Sequence, residues 1–501
     1  MKNSIHKILF ISTIIIMGLL SVQTVTKFIH LKALYGVFVP AEMPAFTFSG
    51  YKDGTFQEGF ENYGRDHFGF REWLIPLYDQ FEWDLFKKVE RKDIFFGQDD
   101  YLYFYEMLQD RYESLTFKFA NSGEEMTQIL EKDAKMVYYL QEVLKEYGTT
   151  LFVCIAPGKD KIYPEYLPEN NMFHRQGGVH AEEFYAKRFR ELGVNCLDLN
   201  SIFKSLKGKV DYPLFYKASS HYSTIAATYA ADTLLRYMEH ISGLNLLNFK
   251  FKEKEIKEAT EIDKDLEHQF NLIRPFVKED YYYVDIEPIP DSTAVKARWL
   301  TIGDSFYWGL SEKMRNAYIF ESTPFWYYGK EVHFDWGGDF FAQNHNLVSE
   351  LIEADFVMLL WCPINIYDLN HNGFVSKSLL SLCSSDIYNN VIANIHSNPE
   401  WYNAVVENAQ KKGIPVDEQI KSEADWVIQQ NVKEYFNLNE VQVPTQRNEK
   451  IVHLGDLFKG KSPKEISEIK HNYRVLKMSN ANCYNETLMN EAIKMSNTAA
   501  N

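Results

Sequence analysis

Apolar residues run from Ile8 to Thr26, nineteen positions without a charge, behind a short polar head carrying Lys2 and Lys7. That length is close to the ~20 residues that cross a bilayer. No Ala-x-Ala cleavage pattern follows, so the segment is expected to be a retained signal anchor rather than a removed signal peptide. Lys2 and Lys7 favour an inward amino end, while Lys27 and Lys32 beyond the run offset that bias. No second run of this kind follows, so the remainder is expected on one side of the membrane.

Beyond a Pro- and Gly-containing linker the periodicity changes. Trp73, Leu74, Leu77, Phe81, Leu85 and Phe86 recur at three- and four-residue steps and predict a helix from about Arg71 to Val89. Two aromatic runs around Gly97-Gln98-Asp99-Asp100 predict a hairpin over Ile94–Phe104. From about Glu124 helical and strand patterns alternate. Helices are expected at Met126–Tyr147, Ala181–Leu192 and His221–Met238, with strands at Thr149–Ala156, Val194–Leu199, Thr293–Ile302 and Asp355–Trp361. Continuous apolar strands separated by helices imply a parallel sheet sandwiched between helical layers, an α/β fold. Its functional groups are expected beyond the carboxyl ends of the strands.

The stretch 242–292 interrupts this alternation and is expected to be an insertion. Past 385 strand character fades, and helices are expected at Trp401–Ala409, Ser422–Tyr435 and Pro463–Met489. The expected organisation is an anchor over 1–28, a linker with helix and hairpin over 29–123, the α/β domain over 124–385 and a mostly helical, polar tail over 386–501.

Composition narrows the function. The formal charge is −16, from 69 acidic and 53 basic side chains, and no basic block compensates it, which argues against nucleic-acid binding. Five cysteines at wide spacing, with no Cys-x-x-Cys pair, give neither a redox motif nor a zinc knuckle, and free thiols are expected. His-Glu-x-x-His, P-loop and dinucleotide signatures are absent, so no metal or cofactor is expected.

The most informative turn is Gly303-Asp304-Ser305-Phe306, at the end of a strand and the start of a helix. A serine there is exposed at the sheet edge, with helix-start N–H groups ready for a developing oxyanion. Equally, Asp304 or Ser305 is a helix N-cap. A serine nucleophile needs a base. His221, in Tyr216-Lys217-Ala218-Ser219-Ser220-His221-Tyr222, is the best placed of 14 histidines, and His67 is a poorer candidate. The carboxylate that would orient the imidazole is not evident. Asp211 is remote, Asp304 is as apt to brace the turn, and Ser219 offers only a hydroxyl. Lys159, after the Thr149–Ala156 strand, is placed on the loop rim, where it braces the site, contacts an anionic sugar or is simply a solvated lysine.

These segments resemble the membrane-anchored SGNH-hydrolase-like O-acetyltransferases of bacterial exopolysaccharide pathways, the AlgX/AlgJ-like alginate acetylation family. The resemblance runs in order through Tyr63–Arg71, the Phe96–Tyr103 hairpin, Ala156–Pro168, Tyr216–Tyr222 and Ile302–Phe306, over roughly residues 50 to 365. It implies an SGNH-type sheet, Ser305 as acyl-carrying nucleophile and His221 as base. Lys159, Tyr163, Tyr222 and Arg71 become candidates for substrate binding. Where the family has Asp-x-His-Trp this chain has Ser219-Ser220-His221-Tyr222, so the orienting aspartate is replaced by Ser219 and the tryptophan by Tyr222.

The resemblance further implies acetyl transfer to a cell-envelope or exported polysaccharide, outside the cytoplasm and in the periplasm if the envelope has one. The anchor would sit in the inner membrane, and a multi-spanning membrane O-acyltransferase would supply the acetyl group. An acetylesterase with the same machinery, and a non-catalytic glycan-binding or assembly subunit of an export complex, are the alternatives.

Overall fold

The computed structural model describes residues 2–36, 39–89, 91–334, 339–342, 345–383, 385–430, 457–477 and 486–499. The chain forms two compact units: one comprises residues 1–104, 216–220 and 259–280, and the other residues 105–215, 221–258 and 281–501.

The first unit opens with the helix Lys2–Thr26, whose His6–Thr26 portion is long and apolar enough to cross a membrane and is almost wholly exposed. Helices follow at Thr55–Asp66 and Arg71–Phe86. The expected hairpin pairs β1 (Ile94–Phe96) with β2 (Leu102–Phe104) in antiparallel register, Ile94 opposite Phe104. A small core of Ile94, Leu102, Leu266 and Phe270 lies behind it.

The second unit is the α/β body. Five strands, β3 (Thr150–Ile155), β4 (Cys196–Asp198), β7 (Trp299–Gly303), β8 (Phe325–Tyr327) and β11 (Phe356–Trp361), run parallel in the order β8-β7-β11-β3-β4. The short strands β9 (Glu331–His333) and β10 (Asp339–Phe341) extend the β8 edge antiparallel. A separate antiparallel ribbon pairs β5 (Phe249–Lys257) with β6 (Tyr281–Pro288), within the stretch expected as an insertion.

Successive strand side chains enter opposite cores, as the pleat requires. Leu151, Val153 and Ile155 of β3, with Val357, Leu359 and Trp361 of β11, join the core covered by helices Gly123–Glu146 and Ala181–Leu192. Phe152, Cys154, Met358 and Leu360 join the core beneath helices Thr224–Ser242 and Phe306–Asn316. Both faces are dry, which is why these strands read as unbroken apolar runs. Cys154, Cys196 and Cys362 are free thiols.

The helices end where local chemistry dictates. Ser122 accepts the Glu125 N–H and starts the long helix, and Gly193, at φ 74°, stops Ala181–Leu192. The helix expected from His221 begins only at Thr224, because Ser223 is its cap and accepts the Ala226 N–H. His221 therefore lies in the loop before the helix.

Registers set the site. Leu360 is level with Gly303, Trp361 with Ile155, and Ile155 with Asp198, so the carboxyl ends of β7, β11, β3 and β4 share one edge. At the opposite edge the tail docks rather than remaining a polar appendage. Helix Pro463–Lys477 buries Ile469 and Tyr473 in the body, and Lys470 Nζ donates to Gly148 O, Thr149 Oγ1 and Ala354 O at 3.0, 2.8 and 2.8 Å. Further tail helices occupy Pro399–Lys412, Val416–Gln430 and Glu486–Ala499. The ends of two expected helices, at 431–435 and 478–485, lie outside the described residues.

Gly303 is required by close approach rather than by an unusual dihedral. A Cβ there would lie 2.5 Å from Leu360 O and 3.0 Å from Leu360 Cβ on the neighbouring strand. Gly303→Ala is expected to force β7 from β11 and to cost about 1–3 kcal/mol of stability, measurable by denaturant unfolding. An unchanged midpoint would contradict this packing.

Candidate active site

At the end of β7 the chain turns through Asp304 and Ser305 into helix Phe306–Asn316. The capping ambiguity resolves in favour of Asp304. Its buried carboxylate accepts the Phe306 N–H at 3.1 Å through Oδ1, and the Cys362 N–H at 2.8 Å and Asn365 Nδ2 at 3.0 Å through Oδ2. Asp304 thus ties this turn to the loop after β11. Ser305 occupies the N-cap position, yet its side chain makes no capping bond.

The Ser305 hydroxyl instead meets His221, with 2.7 Å between Oγ and Nε2. Both residues are partly exposed, 84 positions apart in the chain. The Phe306, Tyr307 and Trp308 N–H groups are taken by Asp304 Oδ1, Asp304 O and Ser305 O. Among the described residues this leaves the Ser305 N–H as the donor of the turn, at the positive end of the helix.

The His221 loop is held from several sides. Phe215 and Tyr222 form an antiparallel bridge, and the Ser223 N–H donates to Leu214 O at 2.9 Å. The Tyr163 hydroxyl accepts the Leu214 N–H at 3.1 Å, so Tyr163 braces this hairpin. Tyr222 is buried, and its hydroxyl donates to Phe306 O. Gly309 lets it lie close, since a Cβ there would be 3.0 Å from Tyr222 Cε2. Burial pushes the Tyr222 phenol well above its ordinary range, so it serves as a neutral donor. Tyr163 thus braces the hairpin that precedes His221, and Tyr222 ties the His221 loop to helix Phe306–Asn316.

The other sequence candidates fall elsewhere. Ser219 is fully buried, and its hydroxyl donates to Ile262 O at 2.7 Å, a backbone partner in its own compact unit. Asp265, in the stretch read as an insertion, accepts the Ser220 N–H at 2.7 Å and also the Ser220 hydroxyl, fixing the residue just before His221. Sequence reasoning missed Asp265, and nothing in its local pattern marks it.

Asp211 pairs with Lys254 at 2.5 Å on the surface, and that bond holds its carboxyl below the ordinary range. His67 stacks on Tyr63 in the first unit, centroids 4.1 Å apart. Arg71 opens helix Arg71–Phe86 in that unit, half-buried. Lys159 is not a rim lysine: it is fully buried in the helical turn Lys159–Ile162.

Its neighbour Lys161 occupies a charged node that the sequence did not reveal. Asp110, His180 and Glu182 bring possible metal ligands within 4.8 Å of one another. Lys161 Nζ lies among them, 2.7 Å from Asp110, 3.0 Å from Glu182 and 3.4 Å from His180 Nδ1, while Tyr367 donates to Asp110 at 2.7 Å. Burial pushes the Asp160 and Glu182 carboxyls up, Asp160 to about 7. Burial alone would lower the Lys161 pKa, and Asp160, Asp110 and Glu182 more than reverse this, keeping the ammonium charged. Lys161→Met is expected to strand these carboxylates and to cost about 3–5 kcal/mol of stability. A thermal midpoint equal to that of the parent protein would refute that role.

Comparison with known proteins bears on this geometry. Residues 94–290 match the family described as SGNH hydrolase-like domain, acetyltransferase AlgX. That stretch is similar to the AlgX/AlgJ-like SGNH-hydrolase-like family, and the match covers less than half of the chain. The matched stretch contains His221 and ends before Ser305.

A curated relative, the probable alginate O-acetylase AlgJ of Pseudomonas putida, is 25% identical over 124 residues, 24% of this chain and 30% of that relative's length. Among solved structures, the O-acetyltransferase domain of Pseudomonas putida AlgJ is 14% identical, with a TM-score of 0.36, over 56% of this chain and 93% of that one. Pseudomonas aeruginosa AlgX is 16% identical, with a TM-score of 0.36, over 56% of this chain and 65% of that one.

Proposed function

We propose that this protein is a serine-dependent O-acetyltransferase that carries an acetyl group on Ser305 and delivers it to a hydroxyl of a cell-envelope or exported polysaccharide outside the cytoplasm. The observation that carries this function is the 2.7 Å contact between Ser305 Oγ and His221 Nε2 at the carboxyl edge of a parallel sheet. A capping serine would turn to its own helix, and this one turns to an imidazole.

In the first half-reaction Ser305 Oγ attacks the donor's carbonyl carbon while His221 Nε2 takes the hydroxyl proton. The oxyanion of the tetrahedral intermediate is placed at the Ser305 N–H. Collapse expels the donor's leaving group, which receives the proton from His221. In the second half a sugar hydroxyl attacks the acetyl-serine, His221 takes its proton, and Ser305 leaves with that proton returned. Asp304 keeps the turn in register, and Tyr222 keeps His221 beside it. The family resemblance supplies the donor side: a multi-spanning membrane O-acyltransferase would present the acetyl group, with this chain held at the membrane by its N-terminal helix. No soluble cofactor enters the scheme.

The test is partition of an activated acetyl ester by the purified protein with and without oligosaccharide. A transferase yields acetylated sugar in proportion to acceptor concentration. Release of free acetate that is indifferent to the acceptor would identify an esterase, and no turnover of the ester would identify a binding subunit.

A further inference from the structure

Helix Arg71–Phe86 is inside out. Trp73, Leu74, Leu77, Tyr78, Phe81 and Leu85 share one face, and all are exposed, with Trp73 at 53%, Leu77 at 56%, Phe81 at 56% and Leu85 at 60%. The buried residue of this helix is polar. Gln80 is buried, donates to Asp84 at 2.9 Å and accepts the Arg274 N–H at 2.9 Å. Trp83, on that inner side, packs on Phe96 and Phe276 at 5.6 and 4.6 Å. An apolar face of this extent is not left to water in a stable soluble protein.

The N-terminal helix shows what covers it. The loop that starts Arg71–Phe86 is seated on the last turns of that helix. The Gly69 N–H donates to Thr24 Oγ1 at 2.8 Å, a Cβ at Gly69 would lie 2.4 Å from Leu20 O, and Phe70 meets Phe28 at 6.3 Å. Leu20 is six residues before Thr26, or roughly 9 Å along the axis at the α-helical rise. If the segment His6–Thr26 spans a bilayer, Gly69 and Phe70 lie at the depth where acyl chains meet headgroups. Trp and Tyr are the side chains enriched at that depth, and a surface-lying helix buries its apolar face there. Lys87 and Lys88 follow the helix, and both are exposed.

We propose that helix Arg71–Phe86 lies in the membrane–water interface beside the exit of the N-terminal anchor, with its outward apolar face embedded among lipids. The inference rests on retention of the anchor. It makes the first unit a two-point mount, one helix across the bilayer and one along it.

The experiment uses the full chain in vesicles of phosphatidylethanolamine and phosphatidylglycerol, with a nitroxide on Phe81→Cys and, as comparison, on the exposed Ser205→Cys. The signal of the identically treated parent protein, from its native cysteines, is subtracted. The ratio of collision with lipid-soluble oxygen to collision with a water-soluble nickel chelate is expected to be several-fold higher at position 81 than at 205. Equal ratios would overturn the proposal. Spin–spin broadening at 81 would assign the face to a second copy, and shielding that needs an added membrane protein would assign it to that protein; either overturns lipid burial. Failure of the chain to float with the vesicles removes the anchor itself and overturns the proposal separately.

Discussion

Replacing Ser305 by alanine is expected to lower acetyl transfer by at least about a thousandfold while leaving the protein folded. In the proposed mechanism the substitution removes the atom that bonds to the acetyl group, so no residual hydroxyl chemistry remains at the turn. Stability should change by less than about 1 kcal/mol, because Ser305 makes no capping bond and is partly exposed. Asp304 continues to hold the Phe306 and Cys362 N–H groups, so the turn itself survives. The checks are the transfer rate from an activated acetyl ester and the unfolding midpoint of the same preparation. A variant that transfers acetyl at the parent rate would remove Ser305 from the mechanism.

The second large effect is expected at His221. His221→Gln keeps a hydrogen-bonding group near Ser305 Oγ but cannot accept and return a proton, and the loss expected is about 10²–10⁴-fold in the acylation rate. Glutamine also leaves the Phe215–Tyr222 bridge and the Tyr222 bond to Phe306 O in place, so the loop keeps its path. Ser219 stands where the family resemblance places an aspartate. Restoring it by Ser219→Asp is not expected to help by itself, since the Ser219 side chain is buried and directed at Ile262 O. Burst kinetics with the activated ester separate these effects. A normal burst in His221→Gln would mean that another group deprotonates the serine.

Much of the architecture was legible because the parallel strands are dry on both faces and therefore appear as continuous apolar runs. The order of His221 and Ser305 along the chain, each near a strand end, was enough to pair them as candidates. Position alone did not say that Asp304 does the capping, which depends on Cys362 and Asn365 arriving from the next strand. Lys159 and Lys161 look solvated in a Lys-Asp-Lys triplet. Their burial follows from tertiary packing, and the partners of Lys161 come from residues 110 and 182, which no local pattern connects.

The stripe on Arg71–Phe86 was visible as a period, but periodicity does not tell which side faces out. The antiparallel strands β9 and β10 have three residues each, too short to show alternation. The tail was read as polar for a similar reason: Lys470 looks like a surface residue until Gly148 O, Thr149 Oγ1 and Ala354 O converge on it.

The most direct test of the central claim is the site of the acyl-enzyme. The full protein is incubated with an activated acetyl ester in the absence of acceptor, quenched in acid, digested and sequenced by mass spectrometry. One acetyl group is predicted on Ser305, absent from Ser305→Ala and discharged when oligosaccharide is added before the quench. Turnover of the ester with Ser305 unmodified, or an adduct that persists elsewhere in Ser305→Ala at the parent rate, would contradict the account.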